Sequence, residues 1–167
     1  MDYAFEMGMG AIMFADELGL STRAKAIWGK TNRTDDSEWL PLYVHMADSA
    51  AIAAKIWDTW VPRGTKAVIV RDLGDDENLA KKLMIFLAGV HDIGKATPVF
   101  QAKPIAFGPS VESFAWKAEQ AGLPMIAGLR DTNHPTHPIA GEVILEGYFV
   151  RVHNWDRKTA RQYACVV

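Results

Sequence analysis

A histidine and an aspartate are adjacent at His91 and Asp92, directly after the apolar stretch FLAGV. An imidazole nitrogen and a carboxylate oxygen at one point suit Mn²⁺, Fe²⁺, Co²⁺, Ni²⁺ or Zn²⁺. A buried ionisable pair needs partners, so the apolar setting favours a metal site. Gly94 can adopt the left-handed conformation that ends a helix. Lys95 follows it, where its ammonium group would serve a bound phosphate rather than the fold.

Two further histidines are candidate ligands. His45 lies three residues before Asp48 on the apolar face of a predicted helix. The alternative for His45 is a core histidine that is hydrogen-bonded to a neighbouring carbonyl. His137 precedes Pro138 and falls in the first turn of a later predicted helix, which is a rigid position for a ligand. The alternative for His137 is a turn histidine that is exposed to solvent.

Hydrophobic periodicity predicts the helices that position these residues. Three long helices are expected at residues 41–60, 76–91 and 138–151, and shorter ones at 11–17, 110–121 and 158–166. On the first, the three- and four-residue spacing marks one face, formed by Leu42, His45, Ser49, Ile52, Ile56 and Trp60. The side chains predicted to face inward on the other two long helices are Leu79, Leu83, Phe86, Leu87 and Val90, then Ile139, Val143, Ile144 and Tyr148.

The remaining segments give weaker signals. Residues 66–72 (KAVIVRD) would suit a short strand, but no second strand pattern offers a partner, so we expect helix or loop there. Loops are predicted at residues 29–37 and 103–109. The predicted fold class is therefore all-α, in one domain over residues 1–167.

Composition excludes several classes of protein. The chain has 167 residues with 49% apolar and 23% charged residues, which is ordinary globular usage and excludes disordered and fibrous proteins. The net charge of −2 means that any nucleic-acid binding must come from local patches. The single cysteine, Cys165, excludes an internal disulfide framework and a four-cysteine zinc site. The acidic start argues against a signal peptide, and no apolar run approaches the roughly 20 residues of a membrane span. We expect a cytoplasmic protein without a membrane partner.

Two clusters combine basic residues with aromatic ones. Cations that bind phosphates and rings that stack on bases are typical of a path for single-stranded nucleic acid. The alternative is a solvated helix face for the charges and core positions for the tryptophans, and we favour the core for Trp28. The candidate binding residues are Lys25, Lys30 and Arg33 in the first cluster, and Arg151, Arg157 and Lys158 in the second.

Four segments resemble the HD nuclease domain of the signature helicase–nuclease of type I CRISPR systems. They are AIWGKT (26–31), LPLYVHMADSAAIAAKIWD (40–58), HDIGKATPVFQ (91–101) and THPIAGEVIL (136–145). The resemblance covers most of the chain from Ala26 to Tyr148. The long HDIGKATPVFQ string is far more specific than the His-Asp pair, which is all that the wider HD phosphohydrolase superfamily shares.

The resemblance implies an α-helical HD-superfamily fold whose metal centre, usually with two transition-metal ions (Mn, Fe, Co or Ni), cuts single-stranded DNA in CRISPR interference. It implies catalytic roles for Asp92, which bridges the ions, and for Lys95, which lies beside the scissile phosphate. Phe100 and Gln101 match positions of packing and loop anchoring. The implied partners are a guide-RNA surveillance complex and a fused or separate helicase. ATP would belong to that helicase alone, since no phosphate-binding loop motif occurs here. The implied metal ligands are His45, His91, Asp92 and His137.

The sequence also departs from the family pattern. The family continues with an adjacent His-His pair and a later aspartate ligand, and no His-His pair occurs in these residues. We therefore expect an N-terminal portion of the domain, incomplete at its C-terminal end, with an incomplete second metal site and weak or no activity alone. The apolar end at 162–167 suits either a docked terminus or a cut through a longer domain. Two other functions stay open: an HD phosphohydrolase acting on a small nucleotide, and a catalytically incomplete docking or structural module.

Overall fold

The computed structural model describes residues 19–32, 39–107, 110–113, 115–125 and 136–166, with only the backbone described at 104–107, 110–113 and 115. The predicted helix at 11–17 lies outside these residues. In chain order the elements are α1 (Thr22–Ala26), β1 (Trp28–Thr31), β2 (Trp39–Pro41), α2 (Leu42–Thr59), α3 (Arg63–Asp72), α4 (Glu77–Val90), a 3₁₀ helix (Ile93–Ala96), α5 (Pro98–Gln101), β3 (Pro104–Phe107), β4 (Ser110–Ser113), α6 (Ala115–Gln120), α7 (His137–His153) and α8 (Arg157–Ala164).

The chain forms two compact units. The first consists of Met1–His45 and Lys95–His137, and the second of Met46–Gly94 and Pro138–Val167. Helices carry most of the described residues, so the predicted all-α class is confirmed. Within the described residues, no helix combines the length and the apolar character that crossing a bilayer requires.

The first unit contains two short antiparallel hairpins that the sequence did not predict. Strand β1 pairs with β2, and β3 pairs with β4 in a continuous register from Pro104↔Ser113 to Phe107↔Ser110. The predicted loops at 29–37 and 103–109 are therefore wrong at 29–31 and 104–107, and the predicted helix at 110–121 is wrong at 110–113. Strands of three or four residues are too short for a recognisable alternation, and pairing along the backbone defines them instead.

The core of the first unit centres on Trp28. Its ring lies 4.6 Å from that of Phe100, measured between centroids, and Trp39 packs against the pair. Trp28 and Phe100 are both buried. The core position that the sequence favours for Trp28 is therefore confirmed.

The second unit consists of helices whose existence the sequence predicts. The predicted helices at 41–60, 76–91, 138–151 and 158–166 correspond to α2, α4, α7 and α8, and the ambiguous segment 66–72 is helical in α3. Local signals fix two of their starts. The Asp76 carboxylate accepts a hydrogen bond from the Leu79 N–H at 2.9 Å, and the Asp156 carboxylate accepts one from the Thr159 N–H at 3.0 Å. These are ordinary N-caps, which satisfy amide groups that a helix start leaves unpaired.

The predicted inward face of α7 is wrong. Val143 is 66% exposed and Tyr148 is 42% exposed, whereas Leu145 and Phe149 form a cluster with Ala160 and Ala164 of α8. Helix α7 carries apolar residues around much of its circumference, so hydrophobicity alone does not select the packed side. The packed side also carries the small residues Ala140 and Gly141, which are buried, and a Cβ placed on Gly141 would lie 3.5 Å from the Gly94 nitrogen, at ordinary contact distance. The prediction also fails for Ile139, which is exposed.

The predicted faces of the other two long helices are correct only in part. On α4, Leu79 and Phe86 of the predicted inward stripe are exposed, whereas Leu83, Leu87 and Val90 are half-buried and Val90 packs against the Phe149 cluster. Ala80, outside the predicted stripe, is buried. On α2, Ile52, Ile56 and Trp60 of the predicted face are exposed, whereas Leu42 and His45 of that face are buried, as are Ala53 and Trp57. The packed side of each helix includes an alanine, Ala53 in α2 and Ala80 in α4.

Candidate metal centre

The His91–Asp92 pair lies where helix α4 ends. His91 is the C-cap of the helix, and its Nδ1 lies 2.8 Å from the carbonyl oxygen of Ala88. A carbonyl oxygen only accepts hydrogen bonds, so Nδ1 carries a proton and donates it. His91 Nε2 lies 3.2 Å from Asp92 Oδ2, and the Asp92 side chain is buried. A nitrogen lone pair and a carboxylate at this distance repel each other unless a cation or a second proton lies between them.

His45 completes a group of three candidate ligands. It directly precedes Met46, where the second unit begins, and the continuous helix α2 carries both residues. One ligand atom from each of His45, His91 and Asp92 lies within 4.8 Å of the other two. His45 and Asp92 are buried, and His91 is partly exposed.

The donor set of this group fits a divalent transition metal. Two imidazole nitrogens and one carboxylate oxygen are ligands of borderline softness, which suit Mn²⁺, Fe²⁺, Co²⁺ and Ni²⁺. The hydrogen bond from His91 Nδ1 to a backbone carbonyl is the usual arrangement that leaves Nε2 for a metal and fixes the ring. A positive ion would also remove the repulsion between His91 Nε2 and the Asp92 carboxylate. Three of the four predicted ligands are therefore brought together with suitable chemistry.

His137 is not a member of this group of described residues. It is the first residue of α7, as the sequence predicts, and it is half-buried. Its ring meets the ring of Phe100 edge to face at 5.7 Å between centroids. Its role as a further ligand stays a prediction.

Lys95 has a contact with the fold that its sequence setting does not reveal. It is buried in the 3₁₀ helix, and its Nζ donates a hydrogen bond to the carbonyl oxygen of Gly29 at 3.2 Å. The same ammonium group lies 5.6 Å from the centre of the Phe100 ring. Lys95 is thus held in a defined place, and its action on phosphate stays a prediction.

Sequence reasoning missed the part that Gly29 plays near His45. A Cβ added to Gly29 would lie 3.0 Å from the Cα of Leu42 and 3.5 Å from the Cβ of His45. Strand β1 therefore runs directly against the turn of α2 that begins with Leu42. A glycine inside a strand often marks such a close backbone approach, and that signal was available in the segment WGK.

The candidate nucleic-acid residues occupy varied surroundings. Lys30 and Lys158 are exposed, Lys25 is half-buried, and Arg33 lies outside the described residues. Arg157 forms an ion pair with Glu146 at 2.6 Å, and this hydrogen bond raises the pKa of Arg157 above its ordinary value. The exposed Arg151 donates to the carbonyl of Gly147 in its own helix at 3.3 Å.

The aromatic ring of the second basic cluster is engaged in packing. Trp155 stacks on Phe149 with 4.5 Å between ring centroids and meets Tyr163 edge to face at 5.4 Å. This contact supports the packing interpretation for Trp155, although the ring is partly exposed.

A helical fold with a His-Asp pair at one helix end and a further histidine on another helix defines the class of HD-type metal-binding domains. Comparison with known proteins identifies the family within this class. The family described as Cas3, HD domain, matches residues 28–167. The chain belongs to the Cas3 HD-domain family, which confirms the resemblance seen in the sequence.

Two curated relatives are similar to this chain. The CRISPR-associated nuclease/helicase Cas3 of Streptococcus thermophilus is 36% identical over 129 residues, covering 72% of this chain and 14% of the relative. The CRISPR-associated endonuclease/helicase Cas3 of Thermus thermophilus is 35% identical over 107 residues, covering 64% of this chain and 10% of the relative. The chain therefore spans a small part of the length of these relatives. No solved structure gives a significant match.

Proposed function

We propose that this chain is the metal-dependent nuclease centre of a CRISPR-associated system and that it hydrolyses phosphodiester bonds of single-stranded DNA. The observation that carries the proposal is the group formed by His45, His91 and Asp92, whose ligand atoms lie within 4.8 Å of one another. Membership of the Cas3 HD-domain family supports the same chemistry, since both relatives are named as nucleases.

Each residue of the proposed centre has a distinct task. A bound divalent ion supplies Lewis acidity toward the phosphodiester and lowers the pKa of a bound water. His45, His91 and Asp92 hold the ion, and the Ala88 carbonyl keeps the His91 ring oriented through Nδ1. His137 is proposed as an additional ligand. Lys95 compensates the negative charge of the phosphate.

The substrate and the partners follow from the same proposal. The proposed DNA path uses the cations of the two basic clusters, which are Lys25, Lys30 and Arg33 in the first and Arg151, Arg157 and Lys158 in the second. Both relatives are named as helicases as well as nucleases, which supports a helicase partner. A guide-RNA complex would then select the target by base pairing, so this chain needs no sequence preference of its own. We also propose that the chain acts in the cytoplasm, where a guide-RNA complex and its DNA target would meet.

We further propose that the chain by itself cuts slowly. Centres with two ions about 3.5–4 Å apart need more ligands than one group of three residues supplies. Among the described residues, His45, His91 and Asp92 are the only such group. One ion bound by these side chains would lack the second ion that stabilises the leaving oxygen.

Cleavage of circular single-stranded DNA tests the proposal. The chain is incubated with Mn²⁺, Co²⁺ or Ni²⁺, or with chelator, beside Asp92→Ala and the exposed control Asp72→Ala. We expect slow, metal-dependent cleavage that Asp92→Ala lowers by at least about 10-fold and that Asp72→Ala leaves unchanged.

Two results would overturn the proposal. Release of phosphate from a nucleoside triphosphate or monophosphate, without cleavage of DNA, would indicate a nucleotide phosphohydrolase instead. Tight metal binding with no turnover of either substrate class would indicate a docking or structural module.

A further inference from the structure

We propose that Gln101 is a positioning residue for Lys95, because its side-chain amide ties together the two backbone segments that determine where the Lys95 ammonium group lies. This inference rests on the proposed function, in which Lys95 compensates phosphate charge. The family resemblance implied only packing and loop anchoring at this position.

Gln101 is buried with all of its amide group engaged. The residue is 1% exposed at the end of the short helix α5. Its Oε1 accepts a hydrogen bond from the Trp28 N–H at 3.2 Å, and its Nε2 donates to the Trp28 carbonyl at 3.0 Å. The same Nε2 donates to the Lys95 carbonyl at 2.8 Å. The backbone carbonyl of Gln101 also accepts from the indole Nε1 of Trp28 at 3.3 Å.

These hydrogen bonds fix both ends of the contact that Lys95 makes. One end is the Lys95 backbone, which Gln101 holds at its carbonyl. The other end is the carbonyl oxygen of Gly29, which accepts a hydrogen bond from Lys95 Nζ. Gly29 directly follows Trp28 in strand β1. A lysine side chain has a flexible stem, so the place of its ammonium group depends on where its backbone and its acceptor are held. Gln101 holds the Lys95 backbone directly, and it holds the Gly29 acceptor through Trp28.

Gln101 is suited to this task by its amide. A glutamine side chain offers two N–H donors and one acceptor oxygen. Here the two donors serve carbonyls of two different segments, and the oxygen serves an N–H group. A methionine of similar length would fill the space without these hydrogen bonds. A glutamate would keep the acceptor and lose the donors.

Residue-resolved acetylation of lysines tests the inference without reference to activity. The wild-type chain, Gln101→Met, Gln101→Glu and the exposed control Gln120→Met are labelled briefly, and each lysine is measured by mass spectrometry. We expect Gln101→Met to raise labelling of Lys95 by about 5-fold or more, because the segments it joined can open locally. The half-buried Lys117 reports whether the whole chain has loosened, and the exposed Lys55 serves as the reference for the extent of labelling.

Three outcomes are informative. A rise at Lys95 without a rise at Lys117 in both Gln101→Met and Gln101→Glu, with no rise in Gln120→Met, supports the inference, because both variants lose the donors that hold the two carbonyls. Unchanged labelling of Lys95 in a folded Gln101→Met variant overturns it. If Gln101→Met also raises the labelling of Lys117 strongly, the Gln101→Glu variant is used to distinguish the two explanations. An equal rise at Lys95 and Lys117 in Gln101→Glu means that Gln101 only supports the fold, which overturns the inference.

Cleavage of single-stranded DNA by four proteins then tests the link to function. They are the wild type, Gln101→Met, Lys95→Ala and the double variant. If Gln101 acts through Lys95, the double variant loses no more activity than Lys95→Ala alone; independent residues would give additive losses. Additive losses contradict the inference. A wild type that does not cut contradicts the proposed function instead, and the labelling result still decides the position of Lys95.

Discussion

The two compact units differ in what fixes their structure. In the first, hydrogen bonds from Gln101 and Lys95 reach Trp28 and Gly29, which are 73 and 66 residues away along the chain. In the second, caps such as Asp76 act three residues away, and a cluster around Phe149 packs one helix on another. Local sequence signals therefore predict where the helices of the second unit lie, although not which side of each helix is packed. The first unit depends on distant polar contacts that no local pattern reveals.

The largest effect that we expect on stability lies in the second unit, at Phe149. Its ring is 5% exposed and stacks on Trp155. Truncation of a buried phenylalanine to alanine costs about 3–5 kcal/mol. We expect Phe149→Ala to lower the free energy of unfolding by about this amount, measured by chemical denaturation followed by circular dichroism.

The neighbouring Tyr148 is the matched control. It is 42% exposed, so Tyr148→Ala should cost much less than Phe149→Ala. If Tyr148→Ala were the more costly substitution, helix α7 would pack on the side that the sequence pattern indicates and not on the side described above.

Helix existence could be predicted from the sequence because it rests on local periodicity and capping. The packed side of α7 could not be predicted in this way, since apolar residues surround much of the helix. The buried side includes the small residues Ala140 and Gly141, which contribute little to a hydrophobic pattern. The short strands were missed for a related reason. Each has three or four residues, so pairing between segments defines them rather than any pattern within them.

The candidate site was partly predictable in the same sense. His91 and Asp92 are neighbours in the chain, so their proximity needs no knowledge of the fold. His45 lies 46 residues before His91, and it was the family resemblance that selected it. The contact of Lys95 with the Gly29 carbonyl was not predictable, because strand β1 was expected to be a loop and a carbonyl acceptor leaves no signal in side-chain type.

A pair of glycine substitutions compares how the two units tolerate an added methyl group. In the first unit, Gly29→Ala would place a Cβ 3.0 Å from the Leu42 backbone, so the strand or the helix must shift. We expect it to lower the free energy of unfolding by about 1–3 kcal/mol. In the second unit, a Cβ on Gly64 of α3 meets nothing within 4 Å, so Gly64→Ala should raise stability by up to about 1 kcal/mol.

Metal titration of the same two variants extends this test. Gly29→Ala disturbs the backbone beside His45, so we expect weaker binding of Mn²⁺, whereas Gly64→Ala should bind as the wild type does. Equal stability and equal Mn²⁺ affinity in both variants would contradict the close approach of β1 to α2.

Anomalous scattering from crystals soaked with Mn²⁺ tests the central claim most directly. We expect one strong peak within bonding distance of His45, His91 and Asp92, and its loss in Asp92→Asn crystals soaked in the same way. A peak elsewhere in the wild type, with the side chains of His91 and Asp92 turned away from it, would contradict the account.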